Sequence, residues 1–425
     1  MHALATELFP IARSITGDGV RETLARIAAE IPMDVKEVPT GTQVLDWTVP
    51  KEWNVRNAWI KDANGELVVD FSRSNLHLVG YSVPVAARLP LAELKDHLFT
   101  APEQPDLVPY RTSYYSETWG FCLPHSVFET LGDEEYEVLV DSTLEDGHLT
   151  YGECYLEGEQ EEEVLVSCHV CHPSLANDNL SGITVATELA KALSARRRRY
   201  SYRFVFVPGT IGSITWLARN EAAVERIRHG LVLTCVGDPG HPTYKRSRRG
   251  DAEIDRAVAH VLAAGGEPHR IKDFFPYGYD ERQYCSPGFD LPVGCLMRTP
   301  HGEFPEYHTS ADNLDLVRPE HLADSLAKCL AVFDILEGNR TYLNLSPKGE
   351  PQLGRRGLYQ AIGGEPDRQE AQMAMLWVLN QSDGSNSLLD IATRASLPFH
   401  AVERAATLLR EHDLLAEAAG SADRE

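Results

Sequence analysis

Between Val164 and Gly182 the chain reads Val-Leu-Val-Ser-Cys-His-Val-Cys-His-Pro-Ser-Leu-Ala-Asn-Asp-Asn-Leu-Ser-Gly, which sets His169, His172 and Asp178 in close succession. Imidazole nitrogens and a carboxylate are donors that suit a borderline-soft divalent ion such as zinc. Such an ion polarises carbonyl groups and lowers the pKa of bound water. Cys168, Cys171 and His172 also match Cys-x-x-Cys-His, the haem-attachment pattern, and a Cys-x-x-Cys pair by itself suits redox chemistry or half a zinc ribbon. Haem attachment belongs to exported chains, whereas the start Met1-His2-Ala3-Leu4-Ala5-Thr6-Glu7 has no basic stretch and no long apolar run. A ribbon needs a second Cys-x-x-Cys, which the sequence lacks. Two readings remain for this stretch, a metal site and a loop with two incidental histidines.

The neighbouring residues decide where the cluster would sit. Val164, Leu165 and Val166 form an apolar run of the kind that fills a buried strand, so the polar residues fall at its carboxyl end, where open α/β sheets place ligands. Beyond Gly182, Ile183, Val185, Leu189, Ala190 and Leu193 recur at helical spacing. Tyr202 to Val207 is a second buried-strand pattern, ending at Pro208-Gly209-Thr210 ahead of a helix through Trp216. Leu231 to Val236 is a third, ending at Asp238, and Leu291 to Leu296 a fourth. Asp238 is expected either to ligate a metal or to support a residue that does.

More donors lie in Glu303 to Leu314, Glu-Phe-Pro-Glu-Tyr-His-Thr-Ser-Ala-Asp-Asn-Leu. With this segment the chain resembles the zinc aminopeptidases, in which a His follows a core strand, an Asp precedes a Ser-Gly helix start, and a last His lies in a Tyr-His-Thr segment followed by an Asp. More closely, it resembles bacterial aminopeptidase-like proteins with an inserted domain of unknown function and a winged-helix tail. Cys235-Val236-Gly237-Asp238 and Tyr279-Asp280-Glu281-Arg282-Gln283-Tyr284-Cys285-Ser286-Pro287-Gly288 share in that likeness.

The resemblance implies His169, Asp178 and His308 as ligands of one or two zinc ions, with Asp238 as a further candidate. It places His172 beside the ligands more than among them, and Cys171, Asp280 and Tyr307 in supporting or substrate-contacting positions. His301 is expected in the pocket wall or on the surface. At one point the chain departs from the family, because the relatives carry a Glu, the general base, where Gly209 stands. A positioned base is worth about 10² to 10⁴ in rate, and glycine cannot supply one. Glu281 is the expected replacement, with Glu303 and Glu306 in reserve.

Composition narrows the rest. Forty basic against 63 acidic residues give a net charge of −23, which opposes phosphate-backbone binding as the main task, and no apolar run approaches a membrane span. Eight cysteines without an export pattern fit a reducing cytoplasm. The expected fold is α/β, a mixed sheet flanked by helices, with an inserted β-rich domain and a C-terminal winged helix. Its division is a discontinuous aminopeptidase-like domain over 1–43 and 142–345, the insert over 44–141, and a linker with the winged helix over 346–425.

Apolar spacing from Leu8 to Ile31 implies a helix pair broken at Thr16-Gly17-Asp18-Gly19. In the insert, aromatics punctuate short β-prone runs, and Asn64-Gly65 implies a hairpin with a type I′ turn. Resemblance also suggests that the insert overhangs the metal site. The run Arg196 to Arg199 reads as a solvated helix end. Residues 347–364 read as a linker. A winged helix is usually associated with DNA, but from Pro366 onward 5 basic residues face 10 acidic ones, so protein contact or homo-oligomerisation is expected instead.

The expected function is zinc-dependent hydrolysis of a peptide or amide bond on a small amine-bearing substrate, with no nucleic-acid or membrane partner. The alternatives are a non-catalytic metal-binding or assembly protein that lost its base at Gly209, and an amide-processing enzyme of polysaccharide or secondary-metabolite biosynthesis.

Overall fold

The computed structural model describes residues 1–361 and 368–418. Strand Glu163–His169 is buried along its whole length, and helix Gly182–Ser194 follows it after an irregular loop. Both edges of the strand pair with parallel neighbours, Ser201–Val207 on one side and Ile227–Leu233 on the other, the arrangement in which crossover helices cover the faces. Each buried Val or Leu in it contributes about 1.5–3 kcal/mol. Its first residue, Glu163, is a buried carboxylate. Glu163 accepts from Arg203 Nε at 2.6 Å, Arg203 Nη2 at 2.9 Å and Arg226 Nε at 2.8 Å.

Eight strands make up this sheet, in the order Asp34–Pro39, His148–Leu156, Ser201–Val207, Glu163–His169, Ile227–Leu233, Val293–Met297, Thr243–Lys245 and Arg270–Lys272. The four central strands are parallel, and antiparallel pairings flank them. The expected α/β class, a mixed sheet flanked by helices, is therefore what the chain forms. Helix Ile211–Arg219 follows Pro208-Gly209-Thr210 as the spacing implied, and the 20-residue helix Pro319–Gly338 follows the loop that carries His308. Near the amino terminus the first helix is His2–Leu8, so the helix expected between Leu8 and the Thr16 break does not form, whereas the second, Asp18–Ala28, does. Pro10 stops the first helix, having no N–H to continue the ladder, yet Ile11 and Ile15 are still buried.

Between strands Asp34–Pro39 and His148–Leu156 the chain builds a second, antiparallel sheet in the order Leu67–Asp70, Glu52–Lys61, Glu135–Glu145, Val85–Pro90. Trp53, Tyr81, Phe121 and Tyr136 fill its core, while Trp47 and Tyr115 stay exposed. The hairpin is present but its turn is not type I′. Only Gly65 has a positive φ, 81°, and its N–H donates to the Asp62 carbonyl at 3.0 Å. Asp62 Oδ1 accepts from the N–H groups of Asn64 and Glu66, which favours this longer loop closed by a left-handed glycine.

The chain divides into two compact units, 1–252 with 270–327, and 253–269 with 328 onward. The second unit holds helices Arg368–Gln381, Leu388–Ala395 and Phe399–Glu411 and a three-stranded antiparallel sheet ordered Asp383–Ser387, Thr341–Asn344, Leu415–Glu417. Ser387 and Asp390 form a reciprocal capping box at the start of the second of these helices. Leu414 leads into the short last strand, Leu415–Glu417, and Ser382 into strand Asp383–Ser387. Of the expected linker, residues 347–361 carry the short turns Gly354–Arg356 and Leu358–Ala361, and 362–364 lie outside the described residues. Among the described residues no helix is long and apolar enough to cross a membrane.

Candidate metal centre

One carboxylate gathers the histidines. Asp178 is fully buried in the loop after strand Glu163–His169. Its Oδ1 accepts from His169 Nε2 at 2.9 Å and from the Tyr279 hydroxyl at 2.9 Å. Its Oδ2 lies 3.1 Å from His308 Nε2 and 3.1 Å from His172 Nδ1. The ligand atoms of His169, His172 and Asp178 all lie within 4.8 Å of one another. Three imidazoles and a carboxylate form a donor set that fits zinc, and the two carboxylate oxygens face different imidazoles.

Each group is held by its element. His169 ends the central strand, and Asn179 Nδ2 donates to the Leu233 carbonyl on the next strand at 3.0 Å. Behind the loop, Asp312 accepts the backbone N–H of Asn177 at 2.5 Å and of Asp178 at 3.0 Å. Asp238 does not join the cluster. It accepts from Asn177 Nδ2, Gly240 N, Thr299 N and Thr299 Oγ1, so four donors occupy its oxygens and it braces the loop instead. Arg13, from the amino-terminal segment, donates to the His172 carbonyl at 2.9 Å.

The insert reaches this centre directly. Tyr110 N donates to the His308 carbonyl at 2.8 Å, and Ser310 N to the Val108 carbonyl at 2.8 Å, pinning the loop that carries the last histidine. The Tyr110 ring stands edge-on to both His172 and His308, with centroids 5.1 Å apart in each case. Tyr307 stacks on His308 at 3.9 Å and Tyr279 on His169 at 4.7 Å. Tyr279 and Tyr110 were not singled out as site residues in the sequence. Tyr279 opens a segment that shares in the family likeness, and Tyr110 was one of the aromatics of the insert.

Electrostatics follow from this packing. Burial works to raise Asp178, but the charge on His172 and the imidazole hydrogen bonds hold it well below the usual carboxylate range. Burial pulls His169 down against the pull of Asp178. Burial opposes charge on His172 too, yet Asp178 and Cys171 carry it well above the ordinary imidazole value. Asp312, nearly enclosed, is raised by burial to about 7.

A cavity of about 330 Å³ opens over the cluster. His169, Cys171, His172, Asp280, Tyr307 and His308 line it, facing Trp47, Tyr110, Tyr114 and Tyr115 of the insert. The expected overhang of the insert is thus a wall. Glu281 is not part of the lining. Its Oε1 accepts from Lys245 Nζ at 2.7 Å in a buried ion pair, and a Cβ on Gly278 would collide with that oxygen at 2.3 Å. Its neighbour Asp280 is the carboxylate that lines the cavity, raised by burial to about 7. The reserve Glu303 is tied to Arg270 and Lys272 by ion pairs of 2.8 and 2.6 Å.

Residues 2–339 match the family described as a domain of unknown function, DUF4910, and residues 340–417 match a winged helix-turn-helix family. A Clostridium acetobutylicum protein, provisionally named as a polysaccharide biosynthesis protein with an aminopeptidase-like domain, is 54% identical over 98% of this chain and 95% of its own. A crystal structure from Clostridium acetobutylicum, provisionally described as a peptidase, superposes with a TM-score of 0.94 at 52% identity, covering 98% of this chain and 96% of that one. The Bacillus subtilis zinc aminopeptidase shares the fold at a TM-score of 0.58 and 12% identity, over 79% of this chain and 93% of its own. By sequence match, by fold and by its winged-helix tail, the chain belongs to the DUF4910 family of aminopeptidase-like proteins.

Proposed function

We propose that this protein hydrolyses a peptide or amide bond on a small amine-bearing substrate, using one or two zinc ions held by His169, Asp178 and His308, with His172 within reach of the same carboxylate. The observation that carries this reading is the buried Asp178, whose two oxygens face three imidazoles at the floor of a cavity. When bound, zinc would supply Lewis-acid polarisation of the carbonyl and a more acidic water.

The chain's own residues do the rest. Asp312 and Asp238 hold the Asn177–Asp178 backbone and side chain in place, and Tyr279 fixes the Asp178 carboxylate from the side opposite His308. Tyr110 packs against His172 and His308, and Tyr307 stacks on His308. The tyrosine and tryptophan walls fit a compact substrate with apolar faces and few charges. The name of the Clostridium relative favours a second substrate class, an amide on an amino-sugar intermediate, which a panel containing both kinds of amide separates.

We take the domain division to be that of the sequence reading, with strand Thr341–Asn344 added to the tail because it pairs with tail strands. All eight cysteines are buried free thiols, in keeping with a reducing, cytoplasmic setting. The test of function is turnover by the zinc-loaded protein on aminoacyl amides, dipeptides and N-acyl amino sugars. Hydrolysis of one class supports the reading. A fully zinc-loaded protein inert on all three would favour the non-catalytic alternative that Gly209 suggests.

A further inference from the structure

The strand end that carries Gly209 has no side chain to offer, and the space beside it is filled from another segment. A Cβ on Gly209 would lie 3.1 Å from His169 Cβ and 3.6 Å from Asp280 Oδ2. Asp280 is 0% exposed to solvent at large, yet it borders the cavity shared with His169, His172 and His308. Its Oδ1 accepts from Ser213 Oγ at 2.7 Å, on the helix that begins just after Gly209. Its Oδ2 has no hydrogen-bond partner. Buried polar atoms are nearly always paired, so an unpaired carboxylate oxygen beside a cavity calls for a functional reason.

We propose that Asp280 is the proton acceptor of this site. As the water oxygen bonds to the substrate carbonyl carbon, Oδ2 takes a proton from that water. As the C–N bond then breaks, the same oxygen returns the proton to the leaving nitrogen, releasing a carboxylic acid and an amine. This assignment rests on the hydrolase reading above. Gly209 then keeps room for Oδ2 beside His169, and the missing side chain at that position is supplied from residue 280. Glu281 also leaves one buried oxygen, Oε2, unpaired, but it is not an equivalent choice, because its Oε1 is engaged by the Lys245 cation and the residue does not border the cavity.

The ionisable groups that act on Asp280 are Glu281, Arg282 and Tyr284 from its own segment, and Cys168, His172 and Cys295 from the elements around it. Burial is the largest influence and raises the carboxyl to about 7, while the Ser213 hydrogen bond acts in the opposite direction. A base titrating near neutrality is suited to proton transfer at physiological pH.

The experiment compares wild type, Asp280→Asn and Ser213→Ala as full-length, zinc-loaded proteins. It measures kcat/KM against pH on the aminoacyl and N-acyl amide panel, together with zinc content. Wild-type kcat/KM should climb to a plateau with a midpoint near 7. Asp280→Asn should lose about 10²- to 10⁴-fold in turnover and the rising limb, with zinc content unchanged. Ser213→Ala should keep its zinc and move the limb to higher pH. The assignment is overturned if Asp280→Asn stays within a few-fold of wild type, if it loses zinc and so behaves as a ligand, or if the limb is unmoved in Ser213→Ala. An inert wild type defeats the hydrolase reading and this assignment with it, whereas an active wild type matched by Asp280→Asn defeats this assignment alone.

Discussion

The two ends of strand Glu163–His169 bury carboxylates in opposite ways. At the amino end Glu163 is clamped by Arg203 and Arg226, permanent cations that match its charge. At the carboxyl end Asp178 is met by a phenol and by three imidazoles, which can give up a proton, and Asp280 keeps one oxygen unpaired. A carboxylate paired with arginine is fixed in charge and place and serves the fold. A carboxylate paired with imidazoles can exchange those protons for a metal ion and serves chemistry. The adjacent pair Asp280 and Glu281 repeats the contrast in partner and place: each leaves one oxygen unpaired, but Asp280 is held by the Ser213 hydroxyl beside the cavity and Glu281 by the Lys245 cation away from it.

Breaking the structural end should cost most in stability and least in chemistry. Arg203→Ala leaves Glu163 as a buried charge with Arg226 alone, and urea unfolding should show a loss of about 3–5 kcal/mol while zinc per folded chain is unchanged. A loss under about 1 kcal/mol would mean the clamp is not structural. Glu281→Gln should behave in the same way on a smaller scale, because it leaves Lys245 charged and enclosed. A loss of about 2–3 kcal/mol with turnover within a few-fold of wild type is expected, and abolished turnover with stability intact would move the base role back to Glu281.

The chemical end should respond to pH with the opposite sign. The raised Asp280 carboxyl binds a proton in the native state between about 4 and 7 that the unfolded chain has already released, so it lowers stability as pH rises through that window. Asp280→Asn in chelated protein should therefore gain about 1–3 kcal/mol more at pH near 8 than at pH near 5. Equal gains at both pH values would show that the carboxyl is not raised. The smallest expected effect is at the tail. With 5 basic against 10 acidic residues from Pro366 onward, the full chain should give no mobility shift of duplex DNA at physiological salt, and salt-sensitive micromolar binding would overturn that.

The legible parts of the sequence were those with a period or a motif. Val164 to Val166 and the spacing after Gly182 marked a strand, loop and helix, and so located His169 and Asp178 at a strand end before any family was considered. His308 needed the resemblance, since its loop has no period. For Asp238 the sequence left two roles open, ligand or support, and only the four donors that occupy its oxygens favour support. Asp280 and Glu281 precede and open a four-residue helical turn, Glu281–Tyr284, too short for periodicity to say which one faces a cavity. Strand Thr341–Asn344 was invisible because a short, half-polar strand carries almost no pattern of its own.

The most direct test of the central claim is the metal content of the full-length protein, purified without chelators and with zinc supplied, for wild type and Asp178→Asn side by side. Wild type should hold about one or two equivalents of zinc, and Asp178→Asn should lose most of it while keeping its fold by circular dichroism. Wild type with less than about a tenth of an equivalent, or Asp178→Asn as fully loaded as wild type, would contradict the assignment of this centre.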